Sequence, residues 1–381
     1  MKKNELVLYK KYVNIKNTNS LLFGNWLLED EKKKILQILP LNSANVTLCE
    51  RKNDICYKIA TKLSNSLSIS LNKIFILNKN HTYWNTILYP WVLSYTTHII
   101  CLIRRVEAIL KIKKKFICRI ENYSFYKKKI PNEFIDFVSF LASEDWNATQ
   151  VKVVCDFLQK NKKKKITFKL KKNIYKKNFI KHEPRKYNNF KDKILNIFFY
   201  LMNFLPSRNA QPFIIGSALP WLHDILLKIS YFSFPKIYES PKIIYKKNDL
   251  KIRKKLVNIL MQNKKLSKLE RIVFSNVKYL IPKAYLENYN LILTKTKKIN
   301  WPFRPKFIFT SFNHGWDEFF KIWCAEKRSM GIPFFIGQHG STYNTLYSSK
   351  YYTEEKVPDN FITWGWKNCN NFHVPAFVLK T

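Results

Sequence analysis

The chain has 381 residues, enough for about two or three domains, and its 46% hydrophobic content is too high for an intrinsically disordered protein. Only 7 residues are Gly and 15 are Pro, which excludes collagen-like and Gly-rich repeat architectures. The formal net charge is +42, but only ten of the 68 basic residues are Arg, the side chain that clamps phosphate in a bidentate manner. The charge is therefore more typical of an A+T-biased coding sequence than of a nucleic-acid-binding surface.

Residues 1–159 are predicted to form a mainly helical N-terminal region. A short apolar run at 6–9 predicts a strand, and the spacing of Ile59, Leu63 and Leu67 predicts an amphipathic helix over 55–76. A second long helix is predicted at 83–112. Its apolar part is too short and too polar to span a bilayer, and the N-terminus lacks the apolar core of a signal peptide. We therefore expect a cytoplasmic protein.

Residues 160–192 are rich in Lys and poor in acids, which predicts a solvated connector. The third predicted region covers 193–381. It begins with helical patterns near 194–204 and 219–231, followed by a Lys-rich helix at about 248–275.

The segment 301–366 has the pattern of a strand, a helix and two further strands. Apolar runs predict strands at 307–310, 333–337 and 361–364. Between the first two strands, apolar residues recur at helical spacing, with acids in the first turn and Gly331 as the terminator. The apolar stripe consists of Trp316, Phe319, Phe320, Trp323 and Cys324.

This order predicts a Rossmann-like parallel sheet, so the fold class is α/β. The carboxyl ends of parallel strands share one edge of the sheet, where open α/β folds bind their ligands. We expect the polar residues that follow the three strands to meet there. Five of the seven Gly residues lie between 315 and 365, and for Gly340 and Gly365 we expect a role facing the ligand.

Three stretches carry a family resemblance: DEFFKIWCAEK at 317–327, GIPFFIGQHG at 331–340 and DNFITWGW at 359–366. The chain resembles bacterial surface-carbohydrate transferases, which are similar to capsule-polysaccharide and teichoic-acid glycerophosphate transferases of the GT-B type. Two Gly positions of the family pattern are Ser341 and Asn344 here. The resemblance also implies a further C-terminal domain that binds the donor, so we expect this chain to correspond to the acceptor half.

The resemblance implies transfer of a sugar or polyol phosphate from a nucleotide-activated donor to a hydroxyl acceptor in surface-polysaccharide biosynthesis, with no metal or other cofactor. His339 is the main catalytic candidate, because imidazole titrates near neutral pH and can act as a base. Asp317 and Glu318 are further catalytic candidates, although acids in the first turn of a helix are explained equally well by its dipole. The substrate-binding candidates are His314, Gln338, Gly340, Tyr343, Glu354, Glu355, Trp364 and Trp366. His314 is explained equally well as a cap of the helix at 316, Glu354 and Glu355 as residues of a solvated loop, and Trp364 by core packing.

The partners implied are a nucleotide-sugar donor, a glycan or lipid-linked acceptor and a separately encoded C-terminal half. The other interpretation of the missing half is that the chain is an inactive remnant of such an enzyme. The excess of Lys also predicts peripheral association with the inner face of an anionic membrane. An alternative function is a basic nucleic-acid-binding or membrane-binding protein without catalysis. The seven Cys residues show neither CxxC nor zinc-site spacing, which indicates free thiols.

Overall fold

The computed structural model describes residues 4–9, 12–13, 19–23, 37–38, 46–121, 130–160, 165–171, 210–233, 240–262, 265–341, 343, 352–367 and 371–376. Over these residues the fold is α/β, as predicted, with two five-stranded sheets in which every described strand pair is parallel. The strands in chain order are β1 Glu5–Val7, β2 Ser20–Leu22, β3 Gln37–Ile38, β4 Phe116–Glu121, β5 Ile166–Lys171, β6 Phe213–Ile214, β7 Ile308–Thr310, β8 Phe334–Gly337, β9 Asn360–Thr363 and β10 His373–Pro375.

Two compact units each contain one of these sheets. The first unit comprises Met1–Leu63, Trp91–Lys176 and Lys247–Leu286, and the second comprises Ser64–Pro90, Lys177–Lys246 and Glu287–Thr381. The helices are α1 Val46–Phe75, α2 His81–Lys111, α3 Phe134–Leu141, α4 Glu144–Leu158, α5 Trp221–Ser230, α6 Leu250–Met261, α7 Lys268–Leu280, α8 Tyr289–Thr296, α9 Asn313–Trp316 and α10 Glu318–Ser329. The domain boundaries drawn from the sequence stay a prediction.

The sheet of the first unit has the strand order β3-β2-β1-β4-β5. Its first strand confirms the predicted strand near residues 6–9, whereas the sheet as a whole was not predicted. The predicted long helices are present as α1 and α2, and Ile59 and Leu63 are buried as their spacing indicates. Trp91 and Trp146 are fully buried in this unit, and Trp91 stacks on Tyr95.

Two predictions about the first unit are wrong in detail. Part of the predicted connector is strand β5, which pairs with β4 along its whole length, while 172–192 lie outside the described residues. The single helix expected at 248–275 is instead two helices, α6 and α7. Ser267 starts the second of these with a capping box, because its hydroxyl accepts from the Glu270 N–H and the Glu270 carboxylate accepts from the Ser267 N–H.

The sheet of the second unit has the strand order β10-β9-β8-β7-β6. The three predicted strands are present as β7, β8 and β9, whereas β6 and β10 were not predicted. Helix α5 confirms the helical pattern at 219–231, and the pattern at 194–204 lies outside the described residues.

Helices α9 and α10 connect β7 to β8 and confirm the predicted strand–helix–strand pattern. Phe319, Phe320 and Cys324 are buried on the predicted stripe. Trp316 does not belong to it, because it lies in α9 and is 48% exposed. Gly331 ends α10 in the left-handed conformation at φ +81°, as predicted.

The prediction that the second long helix is too short and too polar to span a bilayer is wrong as a statement about composition, because helix α2 is, by length and composition, apolar enough to cross a membrane. Of its most apolar window, 72% is buried inside the protein. A buried core helix meets the same criterion, so α2 is weak evidence for a membrane span.

Candidate active site

The carboxyl ends of β7, β8 and β9 lie side by side and bring the predicted site residues to one edge of the second sheet. His314 lies in α9 directly after β7, and His339 follows β8. Trp364 and Trp366 follow β9. The sequence-based expectation that these strand ends meet at a common edge is therefore confirmed.

Four of the predicted residues form a continuous set of polar contacts, which we call the His–Glu–Tyr–His network: His314, Glu354, Tyr343 and His339. The Nε2 atom of His314 lies 3.2 Å from Oε1 of Glu354, and the Tyr343 hydroxyl donates to the same oxygen at 2.8 Å. The Tyr343 hydroxyl also lies 3.3 Å from Nδ1 and 3.5 Å from Nε2 of His339. His314, Tyr343 and Glu354 are buried, whereas His339 is half-buried.

The charges in this network follow from its surroundings. Burial by itself would raise the pKa of Glu354, but the hydrogen bond and charge of His314, together with the Tyr343 hydrogen bond, lower that pKa to about 2. Burial and the Glu354 charge raise the pKa of Tyr343 far above its usual value. At neutral pH, Glu354 is therefore a carboxylate and Tyr343 is a neutral phenol that donates to it.

The direction of the hydrogen bond from Tyr343 to Glu354 determines how the Tyr343 oxygen can interact with His339. Because the Tyr343 proton is directed to Glu354, the phenol oxygen is left to accept a hydrogen bond from a ring N–H of His339. In a neutral imidazole the other ring nitrogen then carries the lone pair. The Phe312 ring, with its centroid 5.0 Å from that of His339, packs against the imidazole. The network and Phe312 thus place the His339 ring beside the phenol oxygen, with both ring nitrogens within hydrogen-bond distance of it.

Gln338 holds the ends of β8 and β9 together. Its Oε1 accepts from the Trp364 N–H at 2.9 Å and from the indole N–H of Trp366 at 2.8 Å. Its Nε2 donates to the Gly340 carbonyl at 2.7 Å. Gly365, at φ +80°, makes the turn between the two tryptophans. Gln338 therefore positions the residues that follow β8 and β9 at the carboxyl edge of the sheet. Substrate binding by these residues stays a prediction.

The two predicted acids Asp317 and Glu318 make contacts at the start of α10. Asp317 caps the helix by accepting from the Phe319 and Phe320 N–H groups, both at 3.0 Å. Glu318 is buried and forms an ion pair at 2.9 Å with Lys321, which is also buried. These contacts favour the interpretation, left open by the sequence, that both acids stabilise the start of helix α10 and do not act in catalysis.

Glu355 and Gly340 occupy different surroundings. Glu355 pairs with His373 Nε2 at 2.8 Å, and burial raises the pKa of Glu355 although His373 opposes the shift. Among the residues that the structure describes, no atom lies within 4 Å of a Cβ added at Gly340. Packing therefore does not require glycine at this position, and the expected ligand-facing role stays a prediction.

Sequence reasoning missed the contribution of β6 to this edge of the sheet. Gly216 follows that strand at φ +56°, and a Cβ there would lie 2.3 Å from Oδ1 of Asn313. Its carbonyl accepts from the Ser311 N–H at 2.7 Å, which joins the ends of β6 and β7. The apolar run 213–215 followed by a rare glycine was the available signal.

A family model supplies the deciding observation, since the model of the LIC12162 family transferases matches residues 5–381. The chain belongs to this transferase family. No curated protein and no solved structure matches the chain. The family confirms the predicted transferase class, whereas the GT-B type, the surface-polysaccharide role and the separate donor half stay predictions. Within the described residues, no group of three His, Cys, Asp or Glu side chains is placed to hold a metal ion.

Proposed function

We propose that this LIC12162 family transferase is a GT-B-type enzyme that moves a sugar or polyol phosphate from a nucleotide-activated donor to a hydroxyl acceptor during surface-polysaccharide biosynthesis. Family membership supports the transferase class. The two compact units, each with a parallel five-stranded sheet, support an enzyme with two α/β halves. The sheet of the first unit, which was not predicted, makes that unit a candidate for the donor half, as an alternative to a separately encoded one.

The observation that carries the proposal is the contact of His339 with Tyr343, whose hydroxyl donates to Glu354, at the carboxyl edge of a parallel sheet. In the proposed step, the acceptor hydroxyl gives its proton to the lone pair on His339. The acceptor oxygen bonds to the transferred group while the bond between that group and the nucleotide phosphate breaks, so the electron pair leaves with the phosphate. The carboxylate of Glu354 then favours the imidazolium through Tyr343.

The surroundings of His339 support close approach of a substrate. Gly340 follows it, and no atom of the described part of the chain lies within 4 Å of where its side chain would begin. Trp364 and Trp366 are half-buried on the neighbouring strand end and present apolar surface. In this proposal, the absence of a side chain at Gly340 allows the donor phosphate to approach the protein backbone. The two tryptophans contact the sugar ring.

The test is nucleotide release by the purified chain from a panel of UDP-, GDP- and CDP-activated sugars and polyols, with and without polysaccharide acceptors. Ligand-observed NMR on the same panel measures donor binding separately from turnover. We expect binding of at least one donor class and acceptor-dependent release that His339→Ala abolishes. Binding of no activated donor, together with salt-sensitive binding of single-stranded DNA, would instead support the non-catalytic alternative.

A further inference from the structure

Helix α5 turns its charged side chains inward and its large apolar side chains outward. Lys228 is buried and forms an ion pair at 2.5 Å with the half-buried Asp224. The Ser217 hydroxyl donates to Asp224, also at 2.5 Å. The outward set, which we call the α5 patch, consists of Trp221, Leu222, Leu226, Ile229 and Phe232, each at least 53% exposed.

The α5 patch is continuous. Leu222, Leu226 and Ile229 are spaced at i, i+4 and i+7, which places them in one row along the helix. Phe232 extends the row beyond the last turn and is 82% exposed. Single exposed apolar residues are ordinary, but a continuous row of them marks a surface that contacts something apolar.

The backbone at both ends holds α5 in this orientation. Ala218 and Phe232 have φ values of +63° and +54°, in the left-handed region that non-glycine residues avoid. The turn at Phe232 is fixed by two hydrogen bonds: Phe232 N–H to the Ile229 carbonyl at 2.7 Å, and Ser233 N–H to the Lys228 carbonyl at 2.8 Å. Strained backbone of this kind persists only where the surrounding contacts support it.

We infer that the α5 patch docks on an anionic membrane surface, with the helix lying in the plane of the interface. Ten residues of helix span about 15 Å, too short to cross a bilayer but sufficient for an interfacial helix. The net charge of +42 attracts anionic headgroups, and the same charge opposes docking of a second copy of the chain. Trp221 and Tyr231, both exposed at opposite ends of the helix, are residue types that settle at headgroup level.

The start of α5 lies towards the edge of the sheet that carries the candidate active site, so docking through α5 would bring that site towards the membrane. The helix follows β6, so its first residue lies towards the same carboxyl edge of the second sheet as His339. Docking through the α5 patch would bring that edge near a lipid-linked acceptor. This consequence rests on the proposed function, whereas the docking itself does not.

The experiment measures co-sedimentation of the full chain with vesicles of phosphatidylcholine alone and of phosphatidylcholine with phosphatidylglycerol at 3:1. The test variant is the double substitution Leu226→Asp with Ile229→Asp. The matched control is Ile244→Asp with Leu250→Asp, which changes two exposed apolar residues elsewhere by the same charge. We expect the test variant to bind phosphatidylglycerol vesicles about tenfold more weakly, and the control to stay within about twofold of the wild type.

Equal loss in both double variants would overturn the inference, because it would show adsorption by charge alone. Unchanged binding of the test variant would overturn it as well. Light scattering measures whether a second copy of the chain covers the α5 patch instead. A wild-type dimer that becomes a monomer in the test variant, with no vesicle binding by either protein, would show this and overturn membrane docking. Should the double variant not fold, Leu222→Ser carries the same comparison. Donor binding without vesicles is measured in parallel, so a failure of docking and a failure of the proposed function are distinguishable.

Discussion

The phenol of Tyr343 donates a 2.8 Å hydrogen bond to Oε1 of Glu354, and both side chains are almost completely withdrawn from water. The low pKa of Glu354 keeps a negative charge at this buried position. Because the proton of Tyr343 is committed to that charge, the phenol oxygen can only accept from His339. One buried contact thus leaves the phenol oxygen as an acceptor for the half-buried imidazole of the proposed base.

Replacing His339 by Ala should lower turnover by at least about a hundredfold, since it removes the general base. The half-buried position predicts little change in melting temperature. Steady-state nucleotide release measures the first effect and thermal unfolding the second. His81→Ala, at an exposed position, is the control and should keep wild-type turnover. If His339→Ala retained wild-type turnover, His339 would have no part in the reaction.

Tyr343→Phe should lower kcat about tenfold with little change in KM, because His339 stays in place but loses the group that orients it. The substitution also leaves Glu354 without its phenol donor, which should reduce the free energy of unfolding by about 1–3 kcal/mol. A pH profile of kcat separates the two effects, since a purely structural role would leave its shape unchanged. An unchanged profile in the Phe variant would contradict the positioning role of Tyr343.

The contribution of Glu354 to stability should depend on pH in a defined window. Its folded-state pKa of about 2 lies below the ordinary value of 4.5, so the carboxylate stabilises the folded chain above about pH 4.5, and this contribution is lost as the pH falls towards 2. Urea unfolding of the wild type and of Glu354→Gln between pH 7 and pH 3 tests this. The difference between the two should be constant above about pH 5.5 and shrink below it. A difference that grows on acidification would have the wrong sign.

Lys321→Met should be strongly destabilising, by about 3–5 kcal/mol, because it removes the buried cation that pairs with the Glu318 carboxylate at 2.9 Å. Adding Glu318→Gln to the same chain should recover part of that loss. Denaturant unfolding of the two single variants and the double variant forms the required cycle. If Glu318→Gln reduced kcat without changing stability, a purely stabilising role for Glu318 at the start of α10 would be wrong. Glu318 would then again be a catalytic candidate.

Two glycines at the same edge of the sheet should respond differently to Ala. Gly216→Ala should destabilise the fold by about 1–2 kcal/mol, since its backbone is left-handed and the new Cβ would displace Asn313. Gly340→Ala meets no described atom within 4 Å and should leave the melting temperature unchanged. If Gly340 faces the substrate as proposed, its variant should raise KM instead. An unchanged KM would remove Gly340 from the binding site.

The sequence predicted the second unit well between residues 307 and 364. There the strands are continuous apolar runs, and α10 has an apolar stripe, an acidic start and a glycine end, all of them short-range signals. The order of these elements implied a parallel sheet, so the meeting of His314 and His339 at one edge followed from topology alone. The boundary between α6 and α7 was missed because the capping box of Ser267 lies within a uniformly Lys-rich pattern.

The sequence by itself determined the α/β class, the shared carboxyl edge of β7, β8 and β9, and His339 as the main catalytic candidate at that edge. Only the tertiary structure decided that Glu354 and Tyr343 meet, that Glu318 is neutralised by a buried lysine and that α5 faces its apolar side outward. The first sheet was also beyond prediction, because three of its strands have only two or three residues and pair with partners distant in the chain. Periodicity reports local structure, whereas burial, pairing and pKa values depend on contacts between residues far apart in the sequence.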